Sequence, residues 1–269
     1  MRRRLVLIAV GFTAAWLAVL CAAAQAVMLR YAPKVGTKVS YDHAVTSTSD
    51  ATVAGQTMHV DSTMHMTATY TAKAQTPKGT RVEVAMRDGS MTLTMPGAET
   101  PRTQKIPDMT TTMLIDDRGQ MQQAKTSGED QQASAMSDDL LSNLSGFSMF
   151  PKTEVKPGDT WSDTLETKAM GKAGAAVKVA FTCTLLELST YQGRQCAKIR
   201  TTFKGTTTAT GMPGTGNLQG SALQYYDYEN SLWVDGEVKM TMNMKLPGQG
   251  DSEGGSMLMH MAMTMKMKK

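Results

Sequence analysis

The chain has 269 residues, of which 41% are hydrophobic and 6% aromatic; 24 are methionine, and the formal charge at pH 7 is +4. Arg2, Arg3 and Arg4 carry most of that excess, since without them 25 basic residues face 24 acidic ones, a charge of +1. A surface so close to neutral lacks the clustered Lys and Arg that neutralise phosphates, which argues against nucleic-acid binding and against electrostatic attachment to anionic membranes.

After the arginines an uncharged apolar run extends from Leu5 to Ala24, and Ala24-Gln25-Ala26 fits the small-x-small rule for signal cleavage. Residues 1–26 are therefore expected to be a signal peptide, and the mature chain to be exported, periplasmic or extracellular in a bacterium. The run is also long enough to cross a bilayer, so a retained anchor, with membrane contact through that segment alone, is the alternative. Lipid attachment at Cys21 is a third reading, opposed by the bulky Leu20 before it. The remaining residues, 27–269, suffice for one β-rich domain.

The first lobe, 31–126, opens with a glycine-initiated strand at "KVGTKVS", and His43 in "YDHAV" reads as a surface strand residue. In "TMHVDSTMHMTATY" the even positions Met58, Val60, Met64, Met66, Ala68 and Tyr70 share one side, and His59, Asp61, Thr63, His65 and Thr67 the other. "VEVAMRDGSMTLTM" places Asp88-Gly89 between two alternating runs. A two-residue type I′ hairpin is predicted there, with Met86 facing Met91 and Val84 facing Leu93.

Helical spacing occurs once, in "SAMSDDLLSNLSGF". Met136, Leu140, Leu141, Leu144 and Phe147 follow a 3-4 pattern, Ser137 with Asp138 and Asp139 resembles an N-cap with an acidic first turn, and Gly146 ends it. An amphipathic connector over 129–149 is predicted.

The second lobe, 150–269, begins "FPKTEVKPGDTWSDT", in which Pro157 and Gly158 turn the chain, Asp159 accepts turn amides and Trp161 anchors the next strand. Cys183 and Cys196 are a candidate disulfide in an exported chain. A tight turn at Gln192-Gly193 would instead place Cys196 opposite Ser189 and away from Cys183; a longer loop centred on Ser189-Thr190 would join them. Two buried thiols are the other outcome. In the last hairpin Met240, Met242 and Met244 share a face with the odd-numbered methionines from Met257 to Met267, in a register that opposes Met242 to Met259 and Met240 to Met261.

The lobes look related. "KVGTKVS" returns as "KPGDTWS", "MPG" at Met95 returns at Met212, and "TMLIDDRGQM" returns as "SLWVDGEV", at offsets of 122, 117 and 119 residues. An internal duplication accounts for the common order and spacing; recurrent strand-and-turn punctuation is the alternative. The expected fold is mainly β, a curved antiparallel sheet, half-barrel-like, built from two related lobes with one helix between them.

The methionine face has three readings. It is plain core; or it is a deformable surface for an apolar ligand such as a lipid or acyl chain, lined by Met240, Met242, Met244, Met257, Met259, Met261, Met263 and Met265 with Leu140 and Leu144 on a helical lid; or its thioethers hold Cu(I). His59, His65 and His260 alternate with methionines and point away, so no mixed Met and His site forms within one strand. Exposed thioethers would also serve as an oxidant sink. No enzyme signature stands out: "GFSMF" around Ser148 is no nucleophile elbow, and the histidines are scattered. A non-enzymatic protein without cofactor is expected.

"FPKTEVKPGDTWSDT", with "LRYAPKVGTKVSY" and "WVDGEVKMTMNM", resembles an uncharacterised family of exported bacterial proteins with a central Pro-x-x-x-Val-x-x-Gly-Asp-x-Trp segment. The resemblance implies a signal peptide, a glycine-initiated first strand and a late Asp-Gly hairpin, and carries over no functional residue. A more distant architectural likeness is to periplasmic half-barrels that carry lipoproteins or lipids, which implies an apolar concave face.

Overall fold

A computed structural model describes residues 26–53, 55–97, 100–127, 149–168, 175–209, 214–246 and 254–269. The predicted connector helix, with Leu140 and Leu144, and residues 1–25 of the predicted signal peptide lie outside them. Among the described residues there is no helix. Twelve strands run β1 (Lys38–Val53), β2 (Gln56–Thr76), β3 (Gly79–Thr94), β4 (Arg102–Ile106), β5 (Met109–Ile115), β6 (Met121–Ser127), β7 (Thr160–Lys168), β8 (Ala175–Tyr191), β9 (Arg194–Ala209), β10 (Gly214–Asp227), β11 (Leu232–Leu246) and β12 (Gly255–Met267).

All twelve join one antiparallel sheet, in the order β6-β5-β3-β2-β1-β12-β11-β10-β9-β8-β7, with β4 also paired to β3. Strands adjacent in the chain pair, except that β3 reaches past β4 to β5, that β4 pairs with β3 alone and that β6 and β7 do not pair with each other among the described residues; the first strand pairs with the last. Among the described residues the sheet is thus an up-and-down meander whose terminal strands pair with each other and whose edges are β6 and β7.

Turn chemistry sets most of the corners. Gln192 and Gly193 both have positive φ (50° and 77°), as a two-residue type I′ turn requires. Gly79 has φ 133°, and a Cβ there would lie 2.2 Å from the Ile115 carbonyl oxygen, so no side chain fits. Asp116 Oδ1 accepts the amides of Arg118 (3.0 Å) and Gln120 (2.8 Å), capping the turn between β5 and β6. Before β7, Asp159 Oδ2 accepts the Lys156 amide (3.0 Å), as its place after Pro157-Gly158 predicts.

Two expectations are corrected. Asp88-Gly89 is not a hairpin: β3 runs straight through it, and because His65 pairs with Ser90 while Thr67 pairs with Arg87, the two residues oppose Met66 alone. They form a β-bulge with Asp88 at φ 55°, and the bulge falls where Pro107 divides β4 from β5 on the other side of β3. Asp235-Gly236 likewise lies inside β11, paired with Tyr225 and Gln224, rather than at a late hairpin.

The register also decides between the two cysteine readings. Cys196 pairs with Ser189 and Cys183 with Thr201, and both thiols are buried and free. Thr201 stands five positions from Cys196 on β9, about 17 Å of strand, far beyond the reach of a disulfide.

The core joins both halves of the sheet. Val82, Val84 and Met113 on one side form a single cluster with Leu185, Ile199 and Tyr226 on the other. Two non-strand segments thread that interior. Val27 and Val155 exchange backbone hydrogen bonds (2.8 and 3.0 Å), Leu29 is fully buried, and the Phe150 ring lies 4.5 Å from Tyr226 and 5.5 Å from Trp233. At this end, the base of the sheet, Arg118 links the open edges: its Nε donates to the Phe150 carbonyl (3.0 Å) and its Nη2 to Asp163 Oδ2 (2.6 Å).

Candidate functional site

Alternation along each strand and pairing between strands set side chains of the inward face into cross-strand rows. From the hairpin tips towards the base these are Met244, Met257, Ala51 and Met58; then Met242, Met259, Ser49 and Val60; then Met240, Met261, Ser47 and Ser62. Val238, Met263, Val45, Met64 and Met91 follow, and then Gly236, Met265, His43 and Met66. Met240 opposes Met261 and Met242 opposes Met259, the register the sequence predicts.

The rows differ in depth. Met263 is buried, and Met240 and Met242 pack against the core cluster. Met244, Met257, Met259, Met261 and Met265 are half-buried, and Met58 at the β1–β2 tip is 64% exposed. The stripe therefore grades from core at the base to an open thioether surface at the tips. A hydrogen bond between Ser47 and Ser62 (2.7 Å) interrupts it midway.

A cavity of about 70 Å³ lies at the base, lined by Tyr31, Tyr41, Tyr70, Gln224, Trp233 and Met265. Burial raises the pKa of Tyr31, Tyr41 and Tyr70, so all three stay protonated phenols. A larger open hollow of about 910 Å³ is lined by Thr182, Thr202, Lys204, Ser221, Lys239 and His260, together with Met240 and Met261 of the stripe. The tip rows offer a surface, while the enclosed space at the base is smaller than the roughly 300–1,000 Å³ of ordinary small-molecule pockets.

His43 is the correction of most consequence. It is 3% exposed rather than a surface residue, it stands between Met265 on β12 and Met66 on β2, and neither ring nitrogen has a hydrogen-bond partner. Burial pushes its pKa down to about 4, with Asp42 pulling weakly the other way, so the imidazole is neutral at pH 7. The sequence held a signal for this placement: Tyr41 and Val45 share its parity and are apolar.

Two thiols and one carboxylate elsewhere in the sheet are fully buried. Burial pushes Cys183 and Cys196 up to about 11, leaving them as thiols rather than nucleophiles. The fully buried Asp227 accepts from Arg194 (2.9 Å) and from the Asn230 amide (3.0 Å), a turn cap.

No family model matches the chain, and no curated protein matches it. Among solved structures, one of lipid–protein interactions in lipovitellin aligns with a TM-score of 0.52 at 8% identity, covering 88% of this chain and 26% of that one. The chain spans about a quarter of the lipovitellin chain it resembles. An outer-membrane channel from Pseudomonas putida aligns at TM-score 0.28 and 8% identity, covering 88% of this chain and 97% of that one. A DUF1329 family protein from Desulfovibrio piger aligns at TM-score 0.17 and 13% identity, covering 84% of each chain. The likeness to lipovitellin is one of fold: a large open antiparallel sheet.

Proposed function

We propose that this chain is an exported, non-enzymatic β protein that carries an apolar ligand, a lipid or acyl chain, against the tip rows of its methionine face. The observation that carries the reading is the half-buried patch made by Met242, Met244, Met257 and Met259, continued by the exposed Met58. Unbranched thioether chains repack around flexible guests at little steric cost, and contiguous apolar surface of this kind marks a contact site. The lipid contacts of the lipovitellin structure, on a sheet of similar fold, lend support. The signal-like N-terminus supports export, and the burial of Cys183, Cys196 and Asp227 supports a non-catalytic role.

The two-lobe reading gains support from one detail. Gly36 donates to the Ala72 carbonyl (2.8 Å) and receives Ala72 beside it at Thr37, and Gly158 and Asp159 make the same pair of bonds with Leu185. The late Asp-Gly match lacks such a counterpart.

Native mass spectrometry of the full chain purified from its own envelope tests the function. Co-purifying acyl lipid is expected, reduced about tenfold or more by Met242→Asp, which sets a charge on the apolar contact. Absence of any guest in the wild-type protein would leave a purely structural envelope role.

A further inference from the structure

We propose that His43, Met66 and Met265 form a site for one soft monovalent cation, Cu(I) or its analogue Ag(I), built across three adjacent strands. This does not rest on the lipid reading, which concerns the opposite end of the stripe. His43 on β1 directly opposes Met265 on β12 and Met66 on β2. Directly opposed residues of antiparallel strands have Cβ atoms about 4.5–5.5 Å apart. A thioether arm thus stands on each side of the imidazole, within reach of an ion at one of its nitrogens. No mixed site forms within a strand, but three neighbouring strands supply one together.

The imidazole itself points to a ligand. It is a buried polar group with two ring nitrogens and no partner for either, whereas buried polar groups in folded proteins are overwhelmingly paired. A bound ion would satisfy one nitrogen. The cavity of about 70 Å³ touching Tyr41 and Met265 adjoins the site and leaves space beside it.

Donor chemistry selects the ion. One imidazole and two thioethers are neutral and soft to borderline, a set suited to Cu(I) rather than to Mg²⁺ or Ca²⁺, which need oxygen ligands. Asp42 points to the opposite face, where it pairs with Lys268 (3.0 Å), so it acts on the site only from a distance and cannot ligate an ion there. A divalent ion would bring two uncompensated charges into an apolar interior; a monovalent one brings a single charge.

The test is an anaerobic titration of the full chain with Cu(I) against a chromogenic Cu(I) chelator, with X-ray absorption on the loaded protein. One ion per chain is expected, with one nitrogen and two sulfur scatterers. Met66→Leu and Met265→Leu, which nearly conserve volume, should each weaken binding about tenfold or more. His43→Leu should abolish the nitrogen scatterer, and Met244→Leu and Met257→Leu, at the opposite end of the stripe, should leave Cu(I) stoichiometry and affinity unchanged. No binding by the folded wild-type chain would overturn the proposal, as would binding lost equally in the tip variants or unchanged in His43→Leu. If His43→Leu fails to fold, Met265→Leu and the wild-type scatterers decide.

Discussion

At the scale of single residues, what a side chain does here depends on which row it occupies. His59 sits among carboxylates, bonded to Asp50 (2.7 Å) and raised in pKa chiefly by that bond, whereas His43, of the same chemistry on the neighbouring strand, is buried and lowered. Its neighbours Met66 and Met265 carry no charge, and Asp42 is the one charged group bearing on it. The sign of the resulting pH dependence follows from linkage. With a folded pKa of about 4 against 6.5 unfolded, the unfolded chain binds the extra proton between those values, so stability is full above pH 6.5 and falls as the pH drops towards 4. Urea unfolding of the metal-free protein should show a loss of about 2–3 kcal/mol at pH 4.5 relative to pH 7.5 that is missing from His43→Leu. Parallel curves for the two proteins would mean that His43 is not the residue that titrates.

Whole strands show where local preference yields to pairing. Asp88-Gly89 has turn chemistry and positive φ at Asp88, yet the 21 residues of β2 need a partner along most of their length, and only a continuous β3 supplies it. The dipeptide's preference is spent on a bulge. Gln192-Gly193, with no such competition, makes the hairpin its chemistry predicts. Glycine within strands also has a packing role: Phe203 Cζ lies 2.4 Å, and the Lys239 carbonyl oxygen 2.3 Å, from where a Gly220 Cβ would stand. The ring thus covers a bare stretch of β10 beside Met240. Gly220→Ala should cost about 1–3 kcal/mol in thermal or urea unfolding, because one contact is backbone and cannot rotate away. A neutral result would mean that β10 and β11 separate readily at this point.

Over the whole molecule, the meander leaves two edges, β6 and β7, that no strand pairing joins among the described residues. Arg118 joins them at the base instead, through Asp163, the Phe150 carbonyl and the return bond from the Phe150 amide to its own carbonyl (2.8 Å). Arg118→Ala should lower unfolding free energy by about 2–3 kcal/mol, since it removes charge-assisted bonds at a half-buried junction. Lys178→Ala, which breaks the exposed pair with Glu166, should have no measurable effect. Similar losses in the two variants would show that the base is held by the Phe150, Tyr226 and Trp233 rings alone.

The sequence by itself determined the parity of the methionines, the register of β11 on β12, the capped turn before β7 and the mainly β class, because alternation and turn chemistry act over a few residues. Only the tertiary structure decided that Asp88-Gly89 bulges and that His43 lies between two methionines. Those outcomes depend on which distant strands become neighbours, and pairing across long separations leaves no mark in the local pattern of any one of them.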